Sequence, residues 1–285
     1  MKKYLFIIFS LVSSQLAGQG IAGQRTAGPR TANELSLYAG AGLSQLKYEA
    51  LSSPAAGGLA GLGYRYYLSG QWSLGTGAEL QLYTTRITLD RVSGSSDARD
   101  VEGSSFQFRY DAKNYREDHK AYYIAVPLNV QFETGASQTS WYMNIGGKVA
   151  YNVHARYQAK ASGLTTTGYY PQWNVELADP AFMGFGQWDD ARSAKNDFKT
   201  KTAFLLSVET GIKTRDRFYL GVYADYGLNN ILEAGERHAV IRYVTDSPTA
   251  FSYQSVPAAL DAEGKPWAQK LNLLSLGIKL RYVLN

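Results

Sequence analysis

The chain has 285 residues and a formal net charge of +5, and 45% of its residues are hydrophobic. It contains no Cys, which excludes disulfide bonds, thiol nucleophiles and thiolate metal sites. Its Lys and Arg are scattered rather than clustered in a stripe that could follow nucleic-acid phosphates, so we expect no nucleic-acid partner. The 22 Tyr and 28 Gly residues favour β structure.

The first residues predict a secretory signal peptide over residues 1–18. Residues 1–3 give a basic start, and residues 4–12 form an apolar run shorter than the roughly 20 residues that span a bilayer as a helix. A cleavage zone of small residues ends at residue 18. Residues 19–33 are rich in Gly, Ala and Arg and predict a flexible periplasmic leader. We expect the folded domain to occupy residues 34–285.

Eight stretches beyond residue 33 alternate apolar and polar side chains, which predicts eight β-strands. They cover residues 34–48, 57–68, 72–82, 121–134, 141–156, 202–213, 218–229 and 271–285. The last stretch is long and apolar on one face, so its free edge would be an aggregation hazard unless another strand pairs with it. We expect it to pair with the first strand.

The connections between these stretches alternate in length. Those after strands two, four and six are a few residues long, and the others run from about ten to about forty. This pattern predicts an all-β, eight-stranded antiparallel up-and-down transmembrane β-barrel with short periplasmic turns and long extracellular loops. Residues 106–110, 238–245 and 251–256 also look strand-like, so a ten-stranded barrel is the alternative. We assign these residues to strand extensions or hairpins above the membrane. Pro127 predicts a bulge.

Aromatic residues on the outward faces of such a barrel should form two belts about 25 Å apart. The predicted girdle consists of Trp72, Tyr122, Phe132, Trp141, Tyr151, Phe218, Tyr226 and Tyr282. A soluble lipocalin-like barrel, which turns its apolar face inward around a ligand, is the alternative. It is disfavoured because the opposite faces of these strands carry several charged residues.

The interior of an eight-stranded barrel is just wide enough for side chains to fill, so charges inside it must pair. The spacing predicts a lumenal ion-pair network of Arg65, Glu79, Lys148, Glu209, Asp225 and Lys279. We interpret this network as a structural plug. The alternative is a gate, in which the pairs exchange partners and open a narrow ion path.

Three His residues, His119, His154 and His238, raise the alternative of a lipid-modifying enzyme in which a His activates a Ser. No Ser and acid can be placed beside any of them from spacing. We therefore expect no catalytic residue, no cofactor and no metal site.

The segment 161–200 is the candidate interaction loop. Its aromatic residues are costly to expose without a partner, and they are Tyr169, Tyr170, Trp173, Phe182, Phe185 and Trp188. The alternative is that they pack on neighbouring loops as a cap.

Three local features support a family resemblance: YIAVPLNVQF around Pro127, YGLNNI at residues 226–231, and the terminal strand. With its topology, the chain resembles small bacterial outer-membrane β-barrels of the OmpA/OmpX type, and more narrowly the PorT-like outer membrane protein beta-barrel families. In the terminal strand, the residues that look like the signal read by the barrel assembly machinery are Ser275, Gly277, Leu280 and Tyr282. Residues 283–285 follow the aromatic, which departs from the family pattern.

The resemblance implies a place in the cell outer membrane after export by a cleaved signal peptide. The expected partners are outer-membrane lipid and lipopolysaccharide, the barrel assembly machinery during insertion and, as a case left open, another outer-membrane protein complex. We expect a non-catalytic structural or partner-binding role. A narrow gated channel is the second hypothesis and a lipid-modifying enzyme the third.

Overall fold

The computed structural model describes residues 33–49, 51–134, 139–214, 217–233, 235–244 and 251–284. The predicted signal peptide lies outside these residues, and so does the predicted leader apart from Asn33, where the first strand begins. In the part of the chain so described, no helix is long and apolar enough to cross a membrane.

The strands within these ranges are β1 (Asn33–Lys47), β2 (Ser52–Tyr67), β3 (Trp72–Arg99), β4 (Ser105–Glu133), β5 (Thr139–Tyr170), β6 (Val175–Leu177), β7 (Gly186–Arg192), β8 (Asn196–Asp197), β9 (Ala203–Thr214), β10 (Phe218–Gly227), β11 (Ile241–Tyr243), β12 (Phe251–Tyr253) and β13 (Asn272–Val283). Two short 3-10 helices cover Ala181–Met183 and Val256–Ala258.

Eight of the strands close into a ring in the order β1, β2, β3, β4, β5, β9, β10 and β13. The last of these pairs antiparallel with the first over twelve residues, from Ser36 opposite Val283 to Lys47 opposite Asn272. Neither strand therefore has a free edge. The predicted eight-stranded antiparallel barrel is confirmed.

The apolar face of each ring strand points outward. In β13, Leu276, Ile278 and Leu280 are 57%, 61% and 51% exposed, whereas the alternate positions Ser275 and Lys279 are buried inside the ring. A continuous exposed apolar surface of this kind would drive a soluble protein to aggregate. It is the surface that a transmembrane barrel presents to lipid.

Three neighbouring strands, β3, β4 and β5, continue far beyond the membrane, with lengths of 28, 29 and 32 residues. The connection after β3, residues 100–104, is consequently shorter than predicted, and the connection after β1, residues 48–51, is shorter because β2 begins at Ser52. The reason is that the inward positions stay apolar, as at Phe106, Phe108 and Leu164, so the strands keep a core to pack on. We call the described residues of 84–120, 155–202 and 228–271 the crown.

The connections after β5 and β10 are long, as predicted. Short strands of the first, β6, β7 and β8, add to the edge of the extended β5. In the second, β11 and β12 form a separate hairpin outside the ring. The stretch 106–110 lies within β4, so these strand-like segments are an extension and a hairpin, not two more barrel strands.

The bulge predicted at Pro127 is absent from the described sheet. Pro127 lies opposite Lys148 in an unshifted register, and the register shift between β4 and β5 falls at Tyr122 and Tyr123 instead. On its other side the carbonyl oxygen of Pro127 accepts a hydrogen bond from the Thr76 hydroxyl at 2.9 Å. A side-chain donor thus supports the ladder at the residue that lacks an N–H.

Candidate functional site

A three-membered ion cluster occupies the lumen. The Lys148 Nζ of β5 lies 2.8 Å from Glu79 Oε1 of β3 and 2.9 Å from Asp225 Oδ2 of β10. All three side chains are buried, and Gln81 donates hydrogen bonds to both carboxylates. Because these three strands are not neighbours in the ring, the cluster bridges the lumen from wall to wall.

A second ion pair lies closer to the short turns. Lys279 Nζ is 2.8 Å from Glu209 Oε2, and the Tyr142 hydroxyl donates to Glu209 Oε1 at 2.7 Å. Arg65 points into the same space but bonds neutral partners, a serine hydroxyl and the amide oxygen of Asn129, each at 3.1 Å. The structure therefore brings five of the six predicted lumenal residues into ion pairs and places the sixth beside them.

Four more charged residues point into the lumen and were missed by the sequence reasoning: Glu34, Glu133, Lys213 and Arg281. The Tyr219 hydroxyl lies 3.1 Å from Glu34 Oε2 and 3.0 Å from Glu133 Oε1. Lys213 Nζ is 3.5 Å from Glu133 Oε2, and the Arg281 guanidinium lies 3.7 Å from the Tyr219 ring centroid. All four occupy inward positions near strand ends and fall within the predicted stretches 34–48, 121–134, 202–213 and 271–285, so the alternation alone could have found them.

Charge is balanced within the described lumen. We call these ten residues the lumenal network: the acids Glu34, Glu79, Glu133, Glu209 and Asp225, and the bases Arg65, Lys148, Lys213, Lys279 and Arg281. Six of the ten line a cavity with a volume of about 30 Å³: Arg65, Glu79, Lys148, Glu209, Lys279 and Arg281. That is room for about two water molecules.

An apolar layer fills the lumen on the crown side of the ion cluster. Its larger members are Leu46, Tyr48, Tyr83, Ile87, Tyr123, Leu205, Ile231, Leu271 and Leu273. The rings of Tyr83 and Tyr123 meet edge to face with centroids 5.6 Å apart. The described lumen is thus packed like a protein core above the network as well as within it.

A buried carboxylate in the crown gathers several donors. Glu117 receives hydrogen bonds from the Tyr115 hydroxyl at 2.8 Å, the Ser255 hydroxyl at 3.0 Å and the Val256 N–H at 2.8 Å, and His119 Nε2 lies 2.7 Å from it. These contacts fasten the segment after β12 to β4.

Sequence spacing could not place an acid and a Ser beside any His, yet the fold puts both near His119. In a nucleophile activated by a base, the His contacts the Ser directly and the acid orients the His. The arrangement here is different. The carboxylate of Glu117 lies between His119 and Ser255, and both contact the same oxygen, Oε2. His154 faces outward and stacks on Tyr122, and His238 lies 3.4 Å from Glu236 at the surface.

The eight predicted girdle residues all lie on the outward faces of ring strands. At the short-turn end the ring centroids of Trp72 and Phe132 are 5.0 Å apart, and those of Phe218 and Tyr282 are 4.9 Å apart. Phe132 also contacts Trp141 at 6.4 Å. At the crown end, Tyr122 is half-buried, and Tyr151 and Tyr226 are exposed.

The four residues of the predicted assembly signal divide between the two faces of β13. Ser275 and Gly277 face the lumen, where the Ser275 hydroxyl donates to Asp225 Oδ2 at 3.3 Å. Leu280 and Tyr282 face outward beside β10.

The six aromatic residues of the candidate interaction loop differ in how far they are buried. Tyr170 and Phe185 are buried against Phe106, with ring centroids 5.2 and 5.6 Å away, and Trp188 packs on the hairpin of β11 and β12. Tyr169 is half-buried under an arginine. Trp173 and Phe182, in contrast, are 61% and 84% exposed. Packing as a cap therefore accounts for most of the loop: Trp173 stacks on Tyr170 with ring centroids 5.3 Å apart but stays largely exposed, and Phe182 is the most exposed of the six.

Metal ligation has no visible site in the described ranges, where no group of three or more His, Asp and Glu side chains is placed to hold an ion.

Comparisons with known proteins give a family match and similar solved structures. A family model described as outer membrane protein beta-barrel domain matches residues 25–233. Among solved structures, the chain is similar to Ail, the attachment invasion locus protein of Yersinia pestis, at 12% identity over 88% of this chain and 100% of that chain, with a TM-score of 0.33. A second Ail structure, in complex with the heparin analogue sucrose octasulfate, gives 13% identity, 88% and 97% coverage and a TM-score of 0.27. No curated protein matches the chain. Because the family model matches more than half of the sequence, the chain belongs to the outer membrane protein beta-barrel domain family.

Proposed function

We propose that this protein is a non-catalytic outer-membrane barrel with a structural or partner-binding role, and that the lumenal network plugs its lumen. The observation that carries the proposal is the filled interior. Ten buried charges balance one another around a cavity of about 30 Å³, and an apolar layer lies above them. An ion would have to cross both layers.

Opening such a lumen is costly. Lys148 would have to leave two carboxylates at once, and breaking a buried ion pair leaves uncompensated charge at a cost of about 3–5 kcal/mol. The apolar layer would then have to part as well. Both costs support a closed barrel as the resting state.

A narrow gated channel is the second candidate, and one observation favours it. Glu79 Oε2, Asp225 Oδ1 and Arg281 Nε have no hydrogen-bond partner among the described residues. A gate in which ion pairs exchange partners requires polar atoms that can form new contacts, and these three atoms meet that requirement. A lipid-modifying enzyme is the third candidate and rests on the proximity of His119 to Glu117 and Ser255.

The partner-binding part of the proposal places the contact at the crown. Trp173 and Phe182 are exposed there, and exposed aromatic side chains are typical anchors of protein interfaces. The partner class that we propose is another outer-membrane protein complex. During insertion, β13 is the segment that we propose the barrel assembly machinery reads, through Leu280 and Tyr282.

Conductance separates the first two candidates. The purified full chain is inserted into planar bilayers and held under voltage steps on both sides of zero. We expect no unitary current from the wild type, and reproducible ohmic or gated steps would overturn the plug. Incubation with lipid A, followed by mass spectrometry of its acyl chains, tests the enzyme: any change in acylation that requires Ser255 would overturn the non-catalytic assignment.

Isolation of the protein from membranes tests the partner-binding role. An affinity tag after Gly103, at the exposed tip between β3 and β4, lies outside the lumen and keeps Asp100, which accepts a hydrogen bond from Tyr170 of the candidate loop. We expect a stoichiometric partner with the wild type, its loss with Trp173→Ser/Phe182→Ser, and its retention with Val101→Ser, which removes an apolar side chain that is 88% exposed elsewhere in the crown. A barrel that is always recovered alone would restrict the role to a structural one.

A further inference from the structure

We infer that the outward face of β3, β4 and β5, just beyond the apolar belt, binds the phosphate groups of outer-leaflet glycolipid. We call this site the basic groove: Arg86, Arg116, Lys120, Arg156 and Lys160. The inference concerns the lipid-facing side of the wall and does not depend on a plugged lumen.

The position of the groove is set by the strand register. Tyr122 belongs to the crown-side aromatic belt, and Lys120 is the next outward residue of β4. Lys120 lies opposite Thr84 of β3 and Arg156 of β5, so these three form the first polar row. Two residues at about 3.3 Å each, with a strand tilt near 40°, place this row about 5 Å beyond the belt. The interfacial region of a bilayer is about 5–7 Å thick on each side, so the row lies among the headgroups.

Like charges face one another in this patch. Lys120 lies directly opposite Arg156, and two rows further out Arg116 lies directly opposite Lys160. Cations in cross-strand pairs repel and destabilise a sheet. Two such pairs on the same face of the same two strands are therefore unfavourable unless an anion lies between them.

The nearby acids do not neutralise the patch. Asp118, in the row between the two cationic pairs, is shared by Arg86 at 3.1 Å and Arg116 at 2.9 Å. Burial would raise the pKa of Asp118, but the hydrogen bonds and charges of these two arginines outweigh it and lower that pKa below its usual value. Asp197 lies opposite Arg156 on β8. Five cations and two acids leave an excess of three positive charges.

The patch is also concave. Four of the five cations, Arg86, Arg116, Lys120 and Arg156, line a cavity of about 490 Å³, together with Lys195 and the small residues Ala55 and Ala56 of β2. The register shift between Pro54 and Gly58 lies in this part of β2. Long cationic side chains beside small residues leave space for a phosphate between them.

The depth of the first row favours phosphate carried by lipid over phosphate free in solution. Clustered Lys and Arg at a membrane surface attract anionic headgroups. A glycolipid anchored in the leaflet also presents its phosphates at this height without a further loss of translational freedom.

Binding is tested with the full chain in a phosphate-free, uncharged detergent. The probes are lipid A carrying two phosphates and the same glycolipid after enzymatic dephosphorylation, titrated at fixed ionic strength. The test variant is Lys120→Gln/Arg156→Gln. The matched control, Arg99→Gln/Lys113→Gln, removes the same charge from exposed crown positions further from the belt.

We expect the wild type to bind the phosphorylated lipid at least ten-fold more tightly than the dephosphorylated one. The test variant should lose that preference, and the control should keep it within about two-fold. Equal affinity for the two lipids, or equal losses in both variants, would overturn the inference. Full competition by inorganic phosphate at the concentration of the lipid would also overturn it, because the groove would then bind free anions.

A thermal measurement separates binding from folding. In detergent without lipid, the test variant should unfold at the same temperature as the wild type or a higher one, because a repulsive pair has been removed. Phosphorylated lipid should raise the unfolding temperature of the wild type and leave that of the variant unchanged. A variant that is less stable without lipid, and is stabilised by the lipid as much as the wild type, would show the two cations to be structural.

Discussion

Replacement of Lys148 by Met tests the ion cluster most directly. The Lys148 ammonium neutralises Glu79 and Asp225 at once, at 2.8 and 2.9 Å, and the three side chains are 5%, 2% and 0% exposed. Met keeps the volume and the apolar stem of the side chain. The variant therefore removes the charge and leaves two carboxylates facing each other in the buried lumen.

The magnitude follows from the geometry. Breaking a buried pair by removing one partner costs about 3–5 kcal/mol, which is roughly two to three and a half orders of magnitude in the unfolding equilibrium. Replacing all three members by neutral side chains of similar volume, as in Glu79→Gln/Lys148→Met/Asp225→Asn, is often neutral. We therefore expect the triple variant to recover most of the loss.

The assay is reversible urea unfolding of the full chain in lipid vesicles, followed by the fluorescence of its five Trp residues. The matched control is Lys113→Met, which removes a cation from an exposed position of β4. We expect the control to change the free energy of unfolding by less than about 0.5 kcal/mol.

Two results would refute the reasoning. One is a loss below about 1 kcal/mol in Lys148→Met, since the carboxylates would then be solvated or protonated at little cost. The other is a triple variant no more stable than the single one, since the damage would then come from packing rather than from unpaired charge.

Other positions give further tests. Glu209→Lys should destabilise the barrel by about 3–5 kcal/mol, and Glu209→Lys/Lys279→Glu should recover part of that in the same urea assay; no recovery would argue against a pair. At Gly146 a β-carbon would overlap a backbone carbonyl of β4, so Ala there should cost about 1–3 kcal/mol, whereas Ala at the adjacent Gly147, where the nearest atom is 3.6 Å away, should be close to neutral; equal costs would contradict the steric argument. Burial raises the pKa of Tyr253 in the crown to about 12. Because folding favours the neutral form of Tyr253, its contribution to the free energy of unfolding is complete below pH 10 and is lost as the pH rises towards 12. The difference in tyrosinate absorbance between wild type and Tyr253→Phe measures this, and a midpoint near 10 would be inconsistent with burial.

The alternation of side chains was sufficient to predict the barrel. Period two in each stretch predicts which side chains share a face, and the alternation of short and long gaps between these stretches predicts which ends share a side of the membrane, although part of the long gaps is strand in the structure. The pairing of β13 with β1 follows once an apolar edge is judged too costly to leave open.

The crown was less predictable because its residues alternate without a lipid-facing side. Outward positions such as Arg86 and Asp118 are polar, so the stretches read as loops until the inward positions are known to pack on one another. Ion-pair partners on opposite sides of the lumen are equally difficult to predict. Which carboxylate meets Lys148 depends on the height of each strand in the ring, and a slip of two residues in register exchanges one partner for another without changing the pattern.

The wall-to-wall geometry of the ion cluster has a consequence for the order of assembly. Lys148, Glu79 and Asp225 lie on three strands separated by others, so none of their contacts can form inside a single hairpin. While the sheet is still open these charges remain hydrated, and they lose water only when its two edges meet and the partners arrive together. Closure and dehydration then become one cooperative step. During folding, a variant that lacks the ion cluster should therefore accumulate as a late intermediate, an unclosed sheet whose hairpins have already formed.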